Sequence, residues 1–329
     1  MPQLRTADDD DGRRLDRVLR KALPDLPLSA LHRLFRKGKI TVDGVPAEAA
    51  SRVRSGQIIG IPELHIASCS AEPGVPAVSP SLEILREGEG LLILNKPAGM
   101  AVHGPGSLDE QVRAYLAPKL AASLSFTPGP LHRLDKPSSG VIVFSMSLEG
   151  ARYFSGLLRD RSSGRAVIRK IYLAITDGTV ETAETWKDAL FRDRDRRKTR
   201  VVSPSASGAA PGAKARPALT KITPVASACG RSLIRAEIET GRTHQIRAQA
   251  AAHGRPLSGD AKYGGRPFEG KNPRAGGFFL HSWILEFPLC PAGPLVRVEA
   301  PLPEEFALQV QDLFGPGAAR HALCGGALC

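Results

Sequence analysis

From Ala67 to Pro80 the chain reads ASCSAEPGVPAVSP, rich in Pro, Ser and Ala and without apolar periodicity. Such a stretch has neither the 3.6-residue spacing of a helix nor the alternation of a strand, so no core continues through it. It reads as a tether between domains. Residues 1–66 are therefore expected to form a small module and residues 81–312 a larger one, with 313–329 as a flexible C-terminal tail. At 329 residues, 42% hydrophobic and 24% charged, the composition is that of an ordinary globular protein with a sizeable core. No run approaches the roughly 18 consecutive apolar residues of a spanning helix. The opening MPQLRTADDDDGRR carries neither an apolar signal core nor a cleavage site, so a cytoplasmic protein without membrane association is expected. The five cysteines, Cys69, Cys229, Cys290, Cys324 and Cys329, are odd in number and contain no CxxC pair. Neither a disulfide framework nor a metal site is indicated, and His321, Cys324 and Cys329 in the tail fit no zinc spacing.

Lys and Arg total 45 against 33 Asp and Glu, a net charge of +12. An excess of that size favours a polyanionic partner, nucleic acid being the commonest, although general solubility explains net charge equally well. Its distribution says more. Leu15, Val18, Leu19 and Ala22 fall on one face of a short helix that Pro24 ends. A second helix follows with Ser29 as N-cap, an apolar stripe of Leu31, Leu34 and Phe35, and Gly38 just past its end. Its outward side carries His32, Arg33, Arg36 and Lys37. Next come a strand with Ile40 and Val42, an Asp43-Gly44 turn and a second strand from Gln57 to Ile61. Two short helices with a basic outer face followed by a small hairpin-like sheet resemble the α-L RNA-binding module of ribosomal small-subunit protein four and several RNA-modifying enzymes. That resemblance implies phosphate-backbone contacts from Arg33, Arg36 and Lys37; the alternative is a solvated basic helix face.

In the larger part, Leu82–Leu85 and Leu91–Leu94 read as a hairpin closed by EGEG, leading into NKPAGMAVHG. Ser107 and Glu110 make a capping box for a helix to Leu120 with Val112, Tyr115 and Leu116 inside. HRLDKPSSG, residues 132–140, then packs His132, Arg133, Asp135 and Lys136 between turn formers ahead of the apolar strand Val141–Phe144. A tight charged group on a loop entering a core strand is where a rigid scaffold presents chemistry. A turn-capping Asp135 paired with Arg133 on the surface is the plainer reading of so short a motif. Ala151, Phe154 and Leu158 mark another helix. In the strand Ile168–Thr176, Ile171, Leu173 and Ile175 share one face and Lys170, Tyr172 and Ala174 the other, so Tyr172 points away from the more apolar side. RDRDRRKTR, residues 192–200, is a basic patch, and the Ser/Ala/Gly/Pro-rich stretch after it reads as a mobile surface loop. A strand from Ser232 to Glu239 runs into TGRTHQIRAQAAAHGRP, where Thr243 is placed to cap a helix ending at His253. His244 and Arg247 share a face of that helix, and Arg242 sits at its N-terminal end, an arrangement suited to a carboxylate or a phosphate.

HRLDKPSSGVIVFS, RKIYLAITDG and ETGRTHQIRAQAAAHGRPLSGDAKYGG, preceded by LNKPAGMAVHG and followed by LHSWILEFPLCPAGPLVRVEAPLP, resemble the RluA-type pseudouridine synthases over roughly residues 81–310. Ser138 stands where family members usually have Thr, keeping the hydroxyl, and the segment between Phe154 and Lys170 is longer than usual. The resemblance implies an α+β fold, a largely antiparallel mixed sheet flanked by helices, behind the small α-L domain. It implies an isomerase, an intramolecular transferase that converts uridine to pseudouridine in ribosomal or transfer RNA, with large-subunit ribosomal RNA the expected target. By motif position Asp135 is the catalytic carboxylate, kept ionised by Arg247. Tyr172 stacks on the uracil, and Arg133 fills the space that the flipped nucleotide leaves. His132, Arg242 and His244 join the substrate-binding set, with Arg33, Arg36 and Lys37 in the module ahead. No cofactor, metal or obligate protein partner is implied. Two other classes fit parts of the sequence: a hydrolase of N-glycosidic bonds using Asp135 and Asp260 as a carboxylate pair, and a catalytically silent RNA-binding or ribosome-assembly protein.

Overall fold

The computed structural model describes residues 3–62, 82–120, 123–162, 168–193, 195–202, 215–268, 277–291 and 293–318. The tether at 67–80, the loop beyond the basic patch and the cysteines and histidine of the tail lie outside the described residues.

The N-terminal unit is built from β1 (Gln3–Arg5), α1 (Leu15–Ala22), α2 (Leu28–Arg36), β2 (Thr41–Val42), β3 (Val45–Pro46) and β4 (Ile58–Gly60), its antiparallel strands ordered β1-β4-β2-β3. The 3.6-residue stripe of α1 is what closes it: Leu15, Val18 and Leu19 are fully buried against Leu31, Ile40, Val53 and Ile59. Asp43 and Gly44 both take positive φ, the backbone that a two-residue turn between β2 and β3 needs. Ser29 does not cap α2. The helix already starts at Leu28, behind a Pro27 whose extended backbone sets the entry.

The larger unit contains β5 (Ile84–Gly88), β6 (Leu91–Lys96), α3 (Leu108–Leu116), β7 (Gly129–Pro130), β8 (Ser139–Ser145), α4 (Leu148–Ser162) and β9 (Arg169–Asp177). It continues through β10 (Glu184–Asp193), β11 (Lys198–Val202), β12 (Arg216–Ala228), β13 (Arg231–Ile238), α5 (Gln245–Ala252), β14 (Leu280–Pro288), β15 (Leu295–Glu299) and α6 (Glu304–Phe314). The strands form a single sheet ordered β11-β10-β12-β13-β9-β14-β8-β6-β5, with β15 beside β14 and β7 beside β8. All pairings among the described strands are antiparallel except β14 with β8. The fold is α+β, as the resemblance implies.

Uniformly apolar runs such as LLIL and VIVF are explained by helices on both faces of the sheet. On one face Leu92, Leu94, Ile142 and Phe144 pack with α3 and α5; on the other Leu91, Ile93, Val141 and Val143 pack on Phe154 of α4. β9 obeys the same alternation. Ile171, Leu173 and Ile175 meet Phe306 and Val310 of α6, while Tyr172 and Ala174 join the α3/α5 core. Tyr172 is therefore 7% exposed rather than turned toward an open side: its face is covered too. Helix α3 stops at Leu116, four residues before the expected end. The expected flexible tail from 313 is also shortened, because Leu313, Phe314 and Ala318 pack against the α6 core.

The two units touch. Asp9 Oδ1 accepts a 2.7 Å hydrogen bond from the Leu148 amide at the start of α4. Asp10, fully buried, accepts from Leu124 N at 3.1 Å, from Ser123 Oγ at 3.2 Å and from Ser125 Oγ. Arg13 Nη1 donates to Ser125 Oγ at 2.6 Å and to its carbonyl at 3.0 Å, while Leu124 packs into the small unit's core. Asp9 and Asp10 of the acidic run are thus docking residues, while Asp8 and Asp11 accept from Ser55 within the small unit.

Candidate active site

The second residue of β8 is a glycine that the sheet demands: Gly140 has φ +103°, and a Cβ there would fall on the Ser282 carbonyl of the parallel neighbour β14. The loop feeding that strand carries Asp135, whose carbonyl accepts from Ser138 N at 3.0 Å to close a turn. Lys96 fixes the loop from beneath. Its buried ammonium donates to the carbonyls of Pro97 at 2.8 Å, Met100 at 2.7 Å and Lys136 at 3.3 Å, tying the NKPAGM segment to the residue after Asp135.

Helix α5 brings up the partner charge. Thr243 does not cap it; the helix starts at Gln245, and His244 before it sits in the left-handed region at φ 54°. Gln245 closes the turn instead, its Oε1 accepting from Arg242 N at 3.1 Å and from Thr240 Oγ1 at 2.7 Å. One turn in, Arg247 is buried between two carboxylates. Its Nη1 donates to Asp135 Oδ2 at 2.6 Å, while Nε and Nη2 hold Asp260 Oδ2 at 2.6 Å and Oδ1 at 2.8 Å. The guanidinium also lies 4.3 Å from the Phe278 ring centroid and 5.0 Å from that of Tyr263. Burial works against its charge, but the hydrogen bonds and charges of Asp260 and Asp135 outweigh it and raise the Arg247 pKa above its ordinary value.

His244 faces the same carboxylate, with Nε2 3.7 Å from Asp135 Oδ1, beyond hydrogen-bond length. Burial lowers its pKa to about 4 against the pull of Asp135, aided by the nearby charges of Arg247, Arg192 and Lys262. The ring is therefore neutral. Tyr263 Oη accepts from Thr199 N at 2.9 Å and lies 2.9 Å from His244 Nδ1, which fixes the ring with Nε2 facing Asp135.

Asp135 opens into a cavity of about 320 Å³ shared with His132, Arg133, Leu158, Lys170, Tyr172, Arg242 and His244. His132, Arg133, Asp135, Tyr172, Arg242, His244 and Arg247, predicted from scattered motifs, are thus brought together. His132 enters with its Nε2 already used, accepting from Val143 N at 3.1 Å while the ring stacks on Phe154, and burial depresses its pKa well below the ordinary value. Arg133 is exposed at the rim. Arg33, Arg36 and Lys37 are exposed on α2 of the small unit and do not line this cavity. Asp260 is 2% exposed and engaged by Arg247 through both oxygens, so it is not placed to pair with Asp135 in hydrolysis. Asp260 as an anchor, Tyr263 and Lys96 are site residues that the sequence reading passed over. All three lie inside motif segments, yet their roles depend on contacts across the fold that no spacing reveals.

A family model described as RNA pseudouridylate synthase matches residues 90–252. Ribosomal large subunit pseudouridine synthase C of Salmonella typhi is 31% identical over 316 residues, covering 91% of this chain and 92% of that one. The protein of the same name from Escherichia coli (strain K12) is 31% identical over 322 residues, covering 93% and 94%. Among solved structures, human RNA Pseudouridylate Synthase Domain Containing 4 superposes with a TM-score of 0.53 at 24% identity, covering 70% of this chain and 92% of that chain. At that identity the likeness shows the fold.

Proposed function

This chain belongs to the RNA pseudouridylate synthase family, isomerases that convert uridine to pseudouridine in RNA, and from that premise we propose that Asp135 is its catalytic carboxylate and large-subunit ribosomal RNA its substrate. The observation that carries the assignment of Asp135 is its place in the cavity, 2.6 Å from an Arg247 that Asp260 holds in position. The reaction breaks the bond between ribose C1′ and uracil N1, turns the base over, joins C1′ to C5, and moves the C5 proton to solvent while N1 gains one. No net oxidation or hydrolysis occurs. What the protein must supply is one ionised carboxylate to act as nucleophile or base, a fixed cation beside it, and an enclosed place for an extruded base.

Asp135 takes the first role and Arg247 the second. Tyr172 stacks on the uracil against the cavity wall, and the exposed Arg133 fills the gap that the base leaves in its stack. His244, neutral and facing Asp135 through Nε2, positions the carboxylate or the ribose beside it, while Arg242 and His132 complete the lining. Arg33, Arg36 and Lys37 on α2 contact RNA phosphates as an α-L-type module, with residues 1–66 forming that domain and 81–312 the catalytic one. The names of the relatives support the ribosomal target, and with it a cytoplasmic place of action. Asp135→Asn should leave RNA affinity nearly intact and abolish isomerisation, since the substitution is close to isosteric and removes only charge. Pseudouridine formed on ribosomal RNA by the purified variant would overturn the assignment. Mapping pseudouridine in cells with and without the protein identifies the site.

A further inference from the structure

A second basic cavity lies where the two units meet. About 350 Å³ in volume, it is lined by Asp11 and five arginines: Arg13, Arg14, Arg17 and Arg52 of the small unit and Arg152 of α4. The backbone places these cations side by side. Arg14 and Arg52 face each other across an isolated antiparallel bridge, and Arg52 Nη1 donates to the Gly12 carbonyl at 2.5 Å. Arg13 is fixed by Ser125. Arg14 pairs with Asp16 at 2.8 Å, and the Asp11 carboxylate accepts from Ser55 N at 3.1 Å. Arg17 and Arg152 are exposed and make no side-chain hydrogen bond or ion pair among the described residues.

Five guanidiniums around one lining carboxylate repel one another, and Arg17 and Arg152 gain no bond among the described residues in return; what such a cluster suits is a polyanion whose oxygens accept planar, forked donors. Helix α4 indicates which polyanion. Arg152 lines this cleft, and Leu158 on the same helix lines the cavity of Asp135. Six residues at 1.5 Å rise separate them by about 9 Å along the axis, on the order of two to three nucleotide steps at 3.4 Å each. We propose that the arginine cleft grips the phosphodiester backbone of the substrate RNA a few nucleotides from the target uridine, a proposal that rests on the reading of Asp135 as the uridine site. The docked small unit and the catalytic unit thereby hold one strand jointly, in addition to any contact made by α2.

The test uses the full chain and large-subunit ribosomal RNA transcribed in vitro, with affinity measured across a salt series and pseudouridine formation in single turnover. Arg17→Gln with Arg152→Gln should weaken binding roughly tenfold and flatten the log–log salt dependence by roughly 0.7 to 0.9 per lost contact. The rate at saturating RNA should stay within about twofold of wild type, because neither residue touches the reacting base. Arg86→Gln with Arg297→Gln, which removes two charges of the same type from β5 and β15 at positions lining neither cavity, controls for net charge and should do neither. Unchanged affinity and slope in the double variant, or an equal loss in the control, overturns the cleft. If wild-type protein forms no pseudouridine on this RNA, the uridine assignment fails instead, and the slope comparison still judges the cleft as a binding site.

Discussion

Arg247 shows what holding the proposed catalytic carboxylate in place requires. A guanidinium removed from water is costly unless paired, and this one meets Asp260 through two parallel bonds before it reaches Asp135 through a third. Asp260 thus aims the side chain while leaving Nη1 for Asp135. Asp260→Ala leaves the buried guanidinium with a single carboxylate partner. The expected result is a loss of roughly 3–5 kcal/mol in unfolding free energy. Because the guanidinium can then tilt, the single-turnover rate should also fall, on the order of 10²-fold. Denaturant midpoints and stopped single turnovers check the two effects separately. Asp260→Asn, which keeps the shape and one acceptor, should recover part of both; a variant that loses stability at full rate would show that Asp260 is only a structural counter-ion.

At the scale of elements, legibility followed burial geometry. The period-3.6 stripe of α1 and the alternation in β9 were readable because each residue's neighbour along the chain reports which side it faces. What covers each side is not a local property. The face of β9 carrying Lys170 and Tyr172 looks more polar in sequence, yet the α3/α5 layer closes over it and makes Tyr172 a wall of the cavity. Caps failed for a related reason. Ser29 and Thr243 have the right chemistry, but Pro27 and the Gln245 side chain set the two helix starts. The Asp135 loop and α5 were legible as chemistry because each concentrates charge within a few residues. Lys96 was not, since its ammonium works on a carbonyl forty residues away in chain as well as on its own loop. Lys96→Met removes those three bonds and keeps the aliphatic stem, so β6 should still pack. The prediction is faster amide exchange at Gly99, which donates to the Lys136 carbonyl at 2.9 Å, together with a lower turnover rate at unchanged RNA affinity. Unaltered exchange and rate would mean that the loop is held elsewhere.

For the whole molecule, stability should depend on keeping buried histidines neutral. His281 is fully buried, with Nδ1 2.9 Å from Ser139 Oγ and Nε2 donating to the Ala300 carbonyl at 3.1 Å, so no carboxylate compensates a charge on the ring. Burial lowers its pKa to about 4, as it does for His244. Between the ordinary value near 6.5 and 4, the unfolded chain binds protons that the folded one refuses. The contribution is therefore fully present above pH 6.5 and is lost as the pH falls toward 4. For His281 it amounts to on the order of 3 kcal/mol. Unfolding free energies of wild type and His281→Asn, measured from pH 7 to 4, should converge on acidification; parallel curves would contradict it.

The junction between the units makes the remaining prediction. Reading 67–80 as a tether suggests a module that only adds affinity, yet Asp9, Asp10 and Arg13 hold it against 123–126 and the start of α4. Asp10 is the residue on which this depends. Its carboxylate satisfies Leu124 N, Ala7 N and two serine hydroxyls in a fully buried position, so Asp10→Ala leaves several donors without partners at about 1–3 kcal/mol each. Undocking restores those donors to water and is the cheaper outcome. The variant should then exchange the Leu124 and Leu148 amides faster and lose the salt-dependent share of RNA binding that both units provide together. Its single-turnover rate at saturating RNA should change much less than its affinity, because Asp135, Arg247 and Asp260, the proposed catalytic group, all belong to the larger unit. Hydrogen exchange and salt-series binding on one preparation decide the matter. Protected amides with an undiminished salt slope would show that the small unit stays seated without Asp10; a collapsed saturating rate would place it in the active site itself.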